Sequence, residues 1–228
     1  MTTTITGTDV ADAPPHPPTD EDAHAVRPWW YPSPVQIVAI VVALLFLAGV
    51  FGYAIGKPNP PRTNGADIGF LEDMTQHHQQ AIVMSFTFLE HSDSGDWLLT
   101  HEAREIVMQQ SAEVRAMSDL LVRFDEEGDP DTAMEWMGTP VPQDDMPGLA
   151  EPSEVERLAR LSGPDAEELF SRLMIEHHRG GVHMADAAAD RAETDEVREL
   201  ATKMAKAQRY EIEELQDRRV ELGFAPVA

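Results

Sequence analysis

FLEDMTQHHQQAIVM (70–84) and FSRLMIEHHRGGVHM (170–184) are one stretch written twice. Aligned without a gap, they match Phe70 with Phe170, Met74 with Met174, His77 and His78 with His177 and His178, and Met84 with Met184. Four of the nine histidines therefore belong to a single repeated pattern. At about 100° per residue on a helix, Met74, His77, His78, Ala81 and Met84 fall within an arc of roughly 120°. Phe70 and Phe88 share that arc, and Met174, His177, His178, Gly181, Met184, Phe170 and Ala188 form its counterpart. Each copy thus sets two imidazoles and two thioethers on the inward face of an amphipathic helix. His183 lies on the opposite side and is left out of the pattern.

Working outward, the periodicity predicts helices over about 67–89, 96–124, 165–192 and 194–222, with SDSGD (92–96) breaking the first pair. Thr194, Asp195 and Glu196 supply a cap and negative charge for the last helix. Ser162, Pro164 and Asp165 are expected to open the third helix. An acidic stretch punctuated by Pro and Gly (125–164) joins the repeats 67–124 and 165–222, and Ser153 with Glu156 predicts a capping box for a short helix to about Leu161. Strand signals are absent. The expected fold is all-α: two repeated hairpins packed as an antiparallel four-helix bundle over 67–222.

The N-terminal portion reads differently. Residues 1–34 are rich in Thr, Pro, Asp and Ala and are expected to be a disordered tail. Residues 35–56 form an apolar run whose one polar side chain is Gln36, long enough to span roughly 30 Å as a transmembrane helix. Trp29, Trp30 and Tyr31 suit an interfacial belt, so residues 35–55 are expected to contact the lipid bilayer. A signal peptide is the competing reading, with Ala54-Ile55-Gly56 as a cleavage site, but the run exceeds the usual apolar length of such a segment. Residues 57–66 read as a proline-stiffened linker. Arg27 on one side of the run against Lys57 and Arg62 on the other favours a cytoplasmic C-terminal portion by one charge.

A net charge of −24 argues against a nucleic-acid partner, because no basic patch offsets the repulsion. The chain has no cysteine, which excludes disulfides, thiolate metal sites and cysteine nucleophiles. Imidazole, thioether and carboxylate remain as ligands. On the second and fourth helices, Ile106, Gln110, Glu113 and Met117 recur as Met204, Gln208, Glu211 and Leu215, placing a Gln and a Glu on each inward stripe. A ring N–H given to Glu113, Glu211, Gln110 or Gln208 would fix a histidine tautomer and free its other nitrogen for a metal. The same pairing without a metal would be a buried polar layer that specifies how the halves dock. Imidazole with thioether selects copper, as Cu(I) or Cu(II), or silver over hard cations. Met134, Met137 and Met146 would capture copper loosely or cover the end of the bundle. No Glu-x-x-His pair, phosphate loop or nucleophile elbow points to an enzyme.

The two M-x-x-H-H-x-x-(A/G)-x-x-M segments, MPG at 146–148 and the paired Q-x-x-E resemble the domain-of-unknown-function 305 family over about 67–222. That resemblance implies a ferritin-like four-helix bundle that is mostly exported, with copper bound by some periplasmic members. It makes His77, His78, His177, His178, Met74, Met84, Met174 and Met184 the candidate ligands. It also places the bundle outside the cytoplasm, against the one-charge difference. The expected role is a membrane-anchored copper protein that sequesters copper or passes it to a copper-handling protein. The alternative is a non-catalytic accessory subunit of a membrane protein complex. Relative to the family, Gly180 and Gly181 are expected to loosen the helix by about 1 kcal/mol each against alanine, and Thr75 replaces an aliphatic residue.

Overall fold

Why a chain this acidic folds around histidines follows from how its helices are capped and paired. The computed structural model describes residues 30–56, 61–125 and 132–228. The predicted tail as far as residue 29, much of the linker (57–60) and 126–131 of the acidic stretch lie outside the described residues. Two compact units are present, 1–58 and 59–228.

The first unit holds helix α1 (Pro34–Gly56). Its span Pro34–Tyr53 has mean hydropathy 2.7 over 20 residues, and none of it is buried. By length and composition it suits a membrane span or the core of a signal sequence. Gln36, the one polar residue of the run, closes its head: Ser33 N donates to Gln36 Oε1 at 2.7 Å and Gln36 N to Ser33 Oγ at 3.3 Å. Two of the first-turn donors are thereby satisfied.

The second unit contains α2 (Gly65–His91), α3 (Trp97–Phe124), α4 (Pro152–Leu158), α5 (Pro164–Arg191) and α6 (Asp195–Glu221). It is an all-α bundle in which α2 pairs with α3, α5 with α6, and α2 runs antiparallel to α5. Three caps differ from expectation. Asn64 forms a capping box with Asp67, so α2 starts before the apolar period does. The Ser153–Glu156 box does not form, because Pro152 opens α4 from Glu151 and leaves Ser153 already helical; α4 also stops at Leu158. Gly163, not Ser162, precedes Pro164 at the head of α5. Thr194 caps α6 through Val197 N, as expected. A two-residue antiparallel ladder, Thr132–Ala133 against Val141–Pro142, is a small departure from an all-helical chain.

The repeat governs how the hairpins lock. Asp67 accepts from Glu193 N at 3.0 Å, Thr194 N at 3.0 Å and Thr194 Oγ1 at 2.6 Å, tying the head of α2 to the α5–α6 turn. One hundred positions on, Glu167 accepts from Ser94 Oγ at 2.6 Å and Asp96 N at 3.2 Å in the α2–α3 turn. Burial raises the Asp67 carboxyl pKa, but the bonds from Thr194, Asn64 and Glu193 outweigh it and hold the group below its ordinary value.

Two apolar clusters fill the bundle. One gathers Phe70, Met74, Met117, Met184 and Met204 under Met134 and Met146 of the long connection, which cover this end of the bundle. The other gathers Met84, Phe88, Leu99, Phe170 and Met174, with Phe88 stacked on Phe170 at 4.3 Å between centroids. The paired histidines occupy the middle of α2 and α5, between these clusters in sequence.

Candidate metal centre: a buried imidazole layer

The antiparallel pairing of α2 and α5 brings His77 face to face with His177, ring centroids 3.7 Å apart and planes tilted by 34°. All four repeated histidines are fully buried. Their bonding partners are asymmetric in a way that matters chemically. His78 Nε2 donates to Glu113 Oε2 at 2.8 Å, and His178 Nε2 donates to Glu211 Oε2 at 2.6 Å. His177 Nε2 donates to the His77 carbonyl at 2.9 Å. An ionised carboxylate or a carbonyl only accepts, so each of these rings carries a proton on Nε2, and in a ring with a single proton Nδ1 keeps its lone pair. Among the described residues, Nδ1 of His78, His177 and His178 has no hydrogen-bond partner, and neither nitrogen of His77 has one. The Pro147 carbonyl approaches the His77 ring without hydrogen-bond geometry.

Burial is the main force on the central pair. It pushes the pKa values of His77 and His177 well below the ordinary imidazole value, and the neighbouring imidazoles add to the depression. Both rings are neutral at pH 7, the form that ligates metals.

The expected partners divide. Glu113 and Glu211 hold histidines as the spacing suggested. Gln110 and Gln208 do not: the Gln110 Oε1 and both amide atoms of Gln208 are buried without partners. Gln208 instead lies against Gly181, where an added Cβ would come within 2.1 Å of its Oε1. Gln109, which the pattern did not single out, donates to Glu113 Oε1 at 3.4 Å. The methionines part by repeat symmetry, Met74 and Met184 in one apolar cluster and Met84 and Met174 in the other, all fully buried. His183 faces solvent, as its position on the helix implied.

The glycine pair also has a structural use beside its cost in helix propensity. Gly180 is buried beneath the MPG segment, and a Cβ there would sit 1.9 Å from the Pro147 carbonyl oxygen. Gly148, at φ +87°, rests in turn on the carbonyls of Glu176 and His177. Gln80 clamps the same segment from α2, donating to Ala150 O at 2.9 Å and accepting from Ala150 N at 2.7 Å. The connection thus closes over the histidine layer from both central helices.

Unpaired polar atoms buried together are costly. On the neutral rings of His77 and His177 they include lone-pair donors, the chemistry that a soft cation satisfies. Among the described residues, no three His, Asp or Glu side chains are already gathered as a metal-ligating group. The residues therefore suit a soft cation by donor type, without an assembled set of three such ligands.

Two repeated hairpins packed antiparallel, with paired imidazoles between the central helices, make this a four-helix-bundle protein. The profile of the family described as domain of unknown function (DUF305) matches residues 67–219, and the chain belongs to that family. No curated protein matches the chain. Among solved structures, a DUF305 protein from Streptomyces coelicolor, assigned as secreted, is 35% identical with a TM-score of 0.66, over 72% of this chain and 97% of that one. A DUF305 fragment from Deinococcus radiodurans is 31% identical with a TM-score of 0.59, over 72% and 99%. CopM in its Cu(I)-bound form is 26% identical with a TM-score of 0.51, over 68% and 96%.

Proposed function

We propose that this chain is a membrane-anchored, extracytoplasmic copper-binding protein that sequesters copper or passes it on, without turnover. The observation that carries the reading is the set of unpartnered nitrogens in four fully buried histidines, three of them holding a hydrogen bond through Nε2 and leaving Nδ1 without a partner. His77, His78, His177 and His178 would supply ligand nitrogens, with thioethers of Met74, Met84, Met174 and Met184 flanking them. Glu113 and Glu211 hold two of the rings in the ligating tautomer. Imidazole and thioether donors favour Cu(I), and CopM, a relative by structure, has been solved with that ion bound. The apolar helix α1 would anchor the protein in the bilayer, and the assignment of the Streptomyces relative as secreted supports an exported bundle. A copper-handling protein or a membrane complex would be the recipient.

One observation favours a second reading. The His78–Glu113 and His178–Glu211 pairs are complete hydrogen-bonded units, and no three ligating side chains among those described are gathered. A metal-free polar layer that sets the docking of the hairpins would look the same, as in an accessory subunit. Thermal unfolding of the full chain in detergent separates the two. A native-state ligand stabilises by about 4 kcal/mol at a thousand times its dissociation constant, so the melting temperature rises with added Ag⁺ or Cu(I). A melting temperature indifferent to either ion favours the polar layer.

A further inference from the structure

Helix α2 is enclosed on most of its circumference. The helices α3 and α5 pack along it, and the long connection closes on it through Trp136 over Gly69 and Gln80 on Ala150. Between residues 66 and 89, the side chains left exposed are those of Gln76, Gln79, Val83 and Phe86, and Glu90 continues the line. Val83 is 52% exposed and Phe86 50%. The steps of three, four, three and four residues are those of a heptad seam, so these side chains form one stripe on the face turned away from His77 and His78.

The stripe carries no charge until its last residue. No Asp, Glu, Lys or Arg occurs from 74 to 89, whereas the longest such run in α3, α5 or α6 is seven residues. The internal repeat supplies the comparison. One hundred positions on, the same stripe of α5 reads Glu176, Arg179, His183, Asp186 and Asp190. There the charges are used within the chain: Glu176 pairs with Arg172, Arg179 donates to the Val227 carbonyl at 3.0 Å, and Asp186 pairs with Arg209. One copy of the stripe is thus an internally paired polar surface. The other is an amide and apolar surface with a half-exposed phenyl ring.

We propose that the outer stripe of α2, from Gln76 to Glu90, is a self-association surface on which a second copy of this chain docks as an isologous, two-fold dimer. Charge selects that occupant. Two chains of net charge −24 repel wherever their carboxylates meet, and along this stripe two copies touch without bringing like charges together. A basic partner finds no carboxylate here before Glu90, and an anionic bilayer surface finds no Lys or Arg. Antiparallel crossing of the two helices completes the match. With the two-fold axis near Val83, Glu90 of one copy stands opposite Gln76 of the other, an amide able to donate to it, and the two Glu90 carboxylates stay at opposite ends. The imidazole layer lies on the other face of α2, so the dimer sets two layers back to back and covers neither. The proposal is therefore independent of the copper reading.

The test is sedimentation velocity of the full chain in density-matched detergent at micromolar concentration. The wild type should sediment as a dimer. V83E/F86E changes two exposed side chains and should keep the wild-type circular dichroism, yet weaken the dimer about a hundredfold or more, because the interface would have to bury unpaired carboxylates. H183A/D186A, the repeat-related control on α5, should leave the dimer intact. The chain has no cysteine, so V83C introduces a single thiol close to the two-fold axis. Mild oxidation should crosslink V83C and leave H183C uncrosslinked. A monomeric wild type, a dimer that survives V83E/F86E, or an H183C variant that crosslinks as readily as V83C overturns the proposal.

Discussion

Replacing Gly180 with alanine tests the seal over the histidine layer, because helix propensity and packing predict opposite signs. Propensity alone would make the variant more stable by about 1 kcal/mol. In the structure the new Cβ would lie 1.9 Å from Pro147 O, 2.5 Å from Pro147 C and 2.9 Å from Gly148 Cα, all backbone atoms. Carbon and carbonyl oxygen rest at about 3.3 Å or more, so the segment must retreat by roughly 1.4 Å. Overpacking of this kind costs about 1–3 kcal/mol. The retreat also strains the two Gln80–Ala150 bonds, each worth about 1 kcal/mol. Set against the propensity gain, the net effect is a loss of about 2 kcal/mol, or roughly 4–8 °C in melting temperature for a domain of this size. Gly181→Ala is the internal comparison, because its Cβ meets the far end of the Gln208 side chain, which can turn away. It should lose less. The assay is thermal unfolding of the metal-free full chain in detergent, followed by circular dichroism at pH 7. A Gly180→Ala variant that melts at or above wild type would refute the placement of the loop on α5.

Other expectations follow from single groups. His77 and His177 stay neutral when folded but bind protons near pH 6.5 when unfolded, so the unfolded chain holds more protons below that pH. Stability of the metal-free protein should therefore fall as pH drops below about 6.5, by up to about 2.7 kcal/mol per pH unit for the two sites, and the double variant to Gln should flatten the slope. Denaturant titrations between pH 5 and 8 would show it. Asp73, buried and with its pKa raised by burial despite bonds from Met134 N and Trp136 Nε1, anchors the connection to α2. Asp73→Ala should cost about 2–4 kcal/mol and shift tryptophan emission to the red as Trp136 loosens. Asp67→Ala should cost about 3 kcal/mol in the same denaturant assay by stranding the donors of Glu193 and Thr194; a loss below 1 kcal/mol would mean the corner is not buried as described.

Much of this molecule is visible in one repeated stretch. Helical periodicity placed the four histidines inward, and the four-three-four spacing found Glu113 and Glu211, because a residue's face on a helix depends on local sequence alone. Thr194 as a cap was legible for the same reason. The packing use of the Gly180–Gly181 pair was not legible, because it lies in contact with Pro147 and Gln208, more than twenty residues away in either direction. Gln80 holding Ala150, seventy positions distant, leaves no periodic trace. Gln110 and Gln208 share the inward stripe with the glutamates, yet a shared face does not set which side chain reaches a ring.

The central claim is that the imidazole layer binds Cu(I), and the most direct measurement is an anaerobic titration of the full chain in detergent with Cu(I) against a competing chelator. A variant with His77, His78, His177 and His178 all changed to Gln is run in parallel, its helicity checked by circular dichroism. Stoichiometric removal of copper from the chelator by the wild type, lost in a folded variant, is the predicted result. A folded wild type that leaves the copper with the chelator, or a variant that binds as tightly, contradicts it.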